Sequence, residues 1–85
     1  MAKYELIIGK SVAKDLRPIP NKNVKQILKR IRALADDARP VGCEKLSGQE
    51  RFRVRQGVYR IIYEIQDQRL VITVVKIGHR REIYK

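Results

Sequence analysis

The sequence predicts an α+β fold, with two N-terminal helices on one face of a small, mainly antiparallel sheet of four to five strands. Three observations carry that reading. Residues 21–35 repeat their apolar side chains at helical spacing, the hydrophobic period changes to two after about residue 50, and turn signals divide the second half into strand-length pieces.

Tyr4 to Ile8 is a short β-rich run closed by Gly9, which suits an opening strand. Ser11 can cap a short helix in which Val12 and Leu16 share a face, and Pro18-Ile19-Pro20 breaks it. Asn21 is an N-cap candidate for a longer second helix. Val24, Ile27, Leu28, Ile31, Leu34 and Ala35 form the stripe that rests on a core, while Lys22, Lys25, Lys29, Arg30 and Arg32 occupy the other faces. Asp36-Asp37 and Pro40 end this helix, and a loop runs from Gly42 to Gly48. Arg51-Phe52-Arg53-Val54-Arg55 then alternates strictly, Gln56-Gly57 signals a turn, and Val58–Ile65 is rich in β-formers. Asp67-Gln68 offers a further turn before a strand over Leu70–Ile77, interrupted by Gly78.

Length and charge bound the function. The 85 residues suffice for a single domain, 1–85, and a chain of this size buries about 60–65% of the surface its unfolded form exposes. Hydrophobic residues make up 44% and charged residues 34%, a globular composition. No apolar run approaches the roughly 20 residues that span a bilayer, and the N-terminus lacks the pattern of a secretory signal. One Cys and one His exclude an intramolecular disulfide and cannot alone build a structural zinc site, so no metal or cofactor is expected, and the protein reads as reduced and cytoplasmic. Twenty Lys+Arg against nine Asp+Glu give a formal charge of +11, whose self-repulsion a polyanionic partner would relieve.

The arginine-rich strand is the first candidate site. With a two-residue turn at Gln56-Gly57, Arg55 pairs with Val58, Arg53 with Arg60 and Arg51 with Ile62; a longer loop centred on Gly57 shifts this pairing. Arg51, Arg53, Arg55 and Arg60 cluster on one face, with Phe52, Val54, Tyr59, Ile61 and Tyr63 on the other. Residues 51–60 contain no acid to intersperse these cations. A solvated outer face is the bland reading, and a phosphate-binding surface built from guanidinium forks is the functional one. The chain end, His79-Arg80-Arg81 with Ile83 and Tyr84, is the second candidate, because apolar residues there suggest docking rather than fraying. The basic second helix is a third candidate, as a nucleic-acid surface or a solvated face. Cys43 reads as a small buried hydrophobe.

Arg53-Val-Arg55-Gln-Gly57-Val-Tyr59-Arg60-Ile-Ile-Tyr63-Glu64, followed by Leu70-Val-Ile-Thr-Val-Val-Lys76-Ile-Gly78-His79-Arg80-Arg81-Glu82-Ile83-Tyr84, resembles the RelE branch of the RelE/ParE toxin superfamily. The match extends to Lys45-Leu46-Ser47-Gly48 and the two-helix opening. The resemblance implies the toxin of a toxin–antitoxin pair: a basic, metal-independent ribonuclease that cuts mRNA in the ribosomal A site by attack of a ribose 2′-OH on the adjacent phosphate. It implies a RelB-like antitoxin, the ribosome and mRNA as partners, with no membrane. Carried over residue by residue, it assigns Arg53, Arg60 and Arg80 to phosphate and transition-state stabilisation and Tyr84 to orienting or deprotonating the 2′-OH. Arg51, Arg55, Arg81 and Lys45 become RNA contacts. Arginines stand where other members carry lysines, and guanidinium stays charged, so His79 is a candidate proton donor or acceptor. A ParE-like toxin that binds DNA gyrase without catalysis and a plain nucleic-acid-binding module are the alternatives.

Overall fold

The computed structural model describes residues 3–46 and 50–79. Its elements run β1 (Glu5–Ile8), α1 (Lys10–Leu16), α2 (Asn21–Leu34), β2 (Glu44–Lys45), β3 (Arg51–Gln56), β4 (Tyr59–Gln66) and β5 (Val71–His79). They form the predicted α+β architecture, with the five strands in the order β1-β5-β4-β3-β2. β1 lies parallel to β5 and the remaining pairs are antiparallel. Val12 of α1 and Ile27, Ile31 and Leu34 of α2 meet Phe52, Val54, Ile61, Tyr63, Ile65, Ile72, Val74 and Ile77 in one core. The period-two and period-three-to-four stripes legible in the sequence are thus the two sides of a single apolar layer.

Several boundaries shift for local reasons. Pro20, not Asn21, occupies the N-cap of α2; its carbonyl accepts from the Asn23 and Val24 amides, and its ψ of 143° is the extended conformation usual at that position. Gly9 takes the N-cap of α1, and Ser11 lies within the helix, donating its hydroxyl to the Val75 carbonyl at 3.2 Å. That contact is part of how α1 covers β5 beyond the end of β1. The Gly9 amide donates to Val74 O (2.8 Å), and Asp15 Oδ2 accepts from the Ile77 amide (3.0 Å), so the exposed strand edge is satisfied. The short β2 lies inside the segment expected to be loop and pairs with β3.

The β3–β4 turn is Gly57-Val58, one residue later than expected. Gly57 has φ +62° and Val58 does not have a positive φ, the pattern of a hairpin turn with glycine in its first central position. Arg55 consequently faces Arg60, Arg53 faces Ile62 and Arg51 faces Glu64, replacing the expected Arg53–Arg60 opposition. Moving every partner on β4 by two residues preserves the faces, because side chains alternate with a period of two.

β5 holds the decisive irregularity. Ile62 pairs with Lys76 but Tyr63 pairs with Val74, leaving Val75 as an extra residue. This bulge inverts the alternation, so Ile72 and Val74 before it and Ile77 and His79 after it all face the helices.

Candidate nucleic-acid interface and active site

On the face away from the helices, β3 and β4 present Arg51, Arg53, Arg55 and Arg60 together, as the alternation requires. Arg60 is the innermost of them, 7% exposed on the central strand β4. Its neighbours across the sheet are Arg55 on β3 and Gly78 on β5. Glycine adds no side chain beside the guanidinium. In the sequence Gly78 reads as an interruption of the strand; the register sets it beside Arg60 on the arginine face.

The same register corrects the expectation of an acid-free face. Glu64 lies opposite Arg51 and accepts from its Nε at 2.8 Å, and Glu44 lies opposite Arg53 and forms an ion pair with it. Both carboxylates lie outside residues 51–60, so only the strand pairing reveals them. Arg53 is held close to the protein, its side chain 11% exposed, whereas Arg55 is exposed and has no ion-pair partner among the described residues. Arg51 and Arg53 are thus neutralised locally, and Arg55 and Arg60 stand directly opposite each other on adjoining strands, a like-charge pairing that is unfavourable by itself.

Two candidates fall on the other side. The bulge turns His79 towards the helices, where its ring meets the edge of Tyr59 at 6.1 Å and 82°. It lines a hollow of about 350 Å³ with Lys14, Asp15 and Tyr59 rather than joining the arginines. Lys45 lies opposite Phe52, hence also on the helix side of the register, and its ammonium is 3.5 Å from Glu50. Neither contributes to the arginine face. Arg80, Arg81 and Tyr84 lie outside the described residues.

Among the described residues no cluster of His, Cys, Asp and Glu is suited to hold a metal ion, and no helix is long and apolar enough to cross a membrane. What the arrangement offers chemically is positive charge held on a hydrogen-bonded sheet.

Fold and charge define a small basic α+β protein with an arginine-bearing sheet face. Residues 6–84 match the family described as the ParE toxin of type II toxin–antitoxin system, parDE. A Methanocaldococcus jannaschii protein provisionally named toxin RelE1 is 31% identical over 87 aligned positions, covering 98% of this chain and 97% of the relative. Among solved structures, the toxin of the archaeal RelE–RelB complex from Pyrococcus horikoshii superposes with a TM-score of 0.83 at 28% identity, over 96% of this chain and 99% of that one. A chain of the Methanococcus jannaschii RelB–RelE complex gives 0.72 at 25% identity, over 92% and 94%. The chain belongs to the RelE/ParE superfamily and is a RelE-like toxin of a type II toxin–antitoxin system.

Proposed function

We propose that this toxin is an endoribonuclease that cuts mRNA in the ribosomal A site, with the ribose 2′-OH attacking the adjacent phosphate to leave a 2′,3′-cyclic phosphate and a 5′-OH. The observation that carries the reading is Arg60, buried in mid-sheet between Arg55 and Gly78 on the face that also bears Arg51 and Arg53. In-line attack builds negative charge on a pentavalent phosphorane, and preorganised guanidinium groups stabilise it without metal ions. In this proposal Arg60, with Arg53 and Arg80, binds the scissile phosphate. Tyr84 orients or deprotonates the 2′-OH, and Arg51, Arg55 and Arg81 hold flanking phosphates. In this proposal His79 and Lys45 stand outside the arginine face, on the helix side of the register, His79 against Tyr59 and Lys45 beside Glu50. Action on ribosomes places the toxin in the cytoplasm.

The neutralising partner in this proposal is a RelB-like antitoxin carrying acidic side chains to the basic toxin. The formal charge of +11 and the two solved relatives described above, both from RelE–RelB complexes, support it.

Adding purified toxin to ribosome complexes programmed with mRNA should produce A-site cuts with cyclic-phosphate ends. Arg60→Ala should slow cleavage by about 10²-fold or more, the scale of losing one preorganised charge donor. Intact mRNA with demonstrably folded protein overturns the reading. Because the matched family is described by ParE, accumulation of gyrase-cleaved DNA in a parallel assay would assign the toxin to that target instead.

A further inference from the structure

We propose that α2 carries a second phosphate-binding site, separate from the arginine face, which takes the backbone of a single-stranded RNA. Between α2 and the end of β3 lies a hollow of about 360 Å³ lined by Gln26, Lys29, Arg30, Ala33 and Gln56. The four helical residues follow one another at three, one and three positions, so they form a single stripe along the helix beside the one that enters the core. Gln56 closes the hollow from the strand side, and alanine at position 33 keeps it open.

The charges of this region are disposed unlike those of the sheet. On the sheet, Arg51 and Arg53 each have a glutamate. α2 contains Lys22, Lys25, Lys29, Arg30 and Arg32 and no acid, and none of these cations has an ion-pair partner among the described residues. Within that set Arg30 is distinctive. Its Nε–H is enclosed by protein without a hydrogen-bond acceptor among the described residues, while the residue as a whole is only partly buried and leaves part of its side chain open to a ligand. A guanidinium and an ammonium one residue apart suit the two non-bridging oxygens of a phosphodiester. The carboxamides of Gln26 and Gln56, which both donate and accept, suit the neighbouring ribose hydroxyl. A solvated basic helix needs neither such a hollow nor a guanidinium with an enclosed, unmet Nε–H.

The test reads binding and not cleavage, so it stands or falls apart from the nuclease proposal. Anisotropy titrations of a labelled single-stranded oligoribonucleotide are compared across salt for the wild type, Lys29→Gln/Arg30→Gln, and Lys22→Gln/Arg32→Gln, which removes equal charge from α2 outside the hollow. The hollow variant should bind about tenfold more weakly, as expected for losing one charged hydrogen-bonded contact. Its salt slope should fall by about 0.7, one phosphate on a single strand. The control should change by less than about threefold. Ala33→Glu, which keeps Arg30 and adds a carboxylate inside the hollow, should reproduce the loss even if the double variant folds poorly. The same losses should persist when Arg60→Ala is added to every protein. Equal losses in both doubles would mean a diffuse field, and unchanged RNA binding in Ala33→Glu would mean no site; either overturns the proposal. Loss of binding to an acidic peptide, with RNA binding intact, overturns it in favour of a protein partner.

Discussion

Tyr63 shows what a single side chain does inside this small core. It is fully buried, its ring stacks on Phe52 with centroids 5.9 Å apart, and its hydroxyl donates to the Ala38 carbonyl at 2.8 Å. Burial, reinforced by Cys43, pushes the phenol well above its ordinary value, so the group remains a neutral donor throughout the physiological range. It ties the segment following α2 to the central strand, beneath the ring of Phe52 that Arg39 covers at 5.1 Å. Tyr63→Phe keeps the ring and orphans a buried carbonyl, and urea denaturation should report a loss of about 1–3 kcal/mol. On the opposite face the same strand offers Arg60. One strand thus carries core side chains on one side and the arginine face on the other, which is the ordinary consequence of a two-residue repeat.

Among the elements, the pairing of β1, α1 and β5 depends on close approach at Gly9. A Cβ there would stand 2.8 Å from the Val74 carbonyl oxygen, and the obstacle is backbone, which cannot rotate away. Its φ of −62° is open to any residue, so the restriction is steric and not conformational. Gly9→Ala should cost about 1–3 kcal/mol in urea denaturation. The Ile77 amide should exchange faster with solvent, because α1 must move off β5 and withdraw Asp15 from it. β5 itself illustrates how one extra residue redirects a site. Without the bulge at Val75, the phase set by Ile72 and Val74 would place His79 among the arginines and Gly78 towards the helices. With it, Gly78 opens the space beside Arg60 and His79 packs on Tyr59.

At the scale of the molecule, charge is distributed so that acids are spent at a few joints. Asp67, in the β4–β5 turn, accepts two hydrogen bonds from Arg39 (2.9 and 3.2 Å) and one from Tyr4 (2.7 Å), joining the chain before β1 and the segment after α2 to the sheet. The Arg39 guanidinium first, then the Tyr4 hydroxyl, hold its carboxyl below the ordinary value of 3.8. A carboxyl whose folded value is depressed contributes fully above its unfolded value and loses the contribution as pH falls through the folded one. The stability difference between wild type and Asp67→Asn should therefore be present at pH 6 and vanish progressively below about pH 4, as thermal melts across that range would show. The difference should be small, because both partners are about half exposed and solvent screens them. Elsewhere the cations of α2 have no such partners among the described residues. That leaves the helix side as well as the arginine face positively charged, consistent with a protein that meets polyanions on more than one side.

Periodicity alone determined the two helices, the antiparallel second half and the face on which the arginines gather. Apolar side chains must segregate from water whatever the detailed register, and a two-residue slip leaves the faces unchanged. The family was legible for a related reason: its signature residues are contiguous along β3, β4 and the chain end. Pairing across strands was not legible. Glu64 is thirteen positions from Arg51, and Glu44 acts on Arg53 through a two-residue strand inside an apparent loop. The single bulge at Val75 reassigned His79 and Gly78 to opposite faces, and the hollow beside Arg30 exists only because a helix and a hairpin end come together. These features depend on which backbone groups satisfy one another across the sheet. Tertiary structure settled them, because hydrogen-bond register is a property of two segments at once and no single segment encodes it.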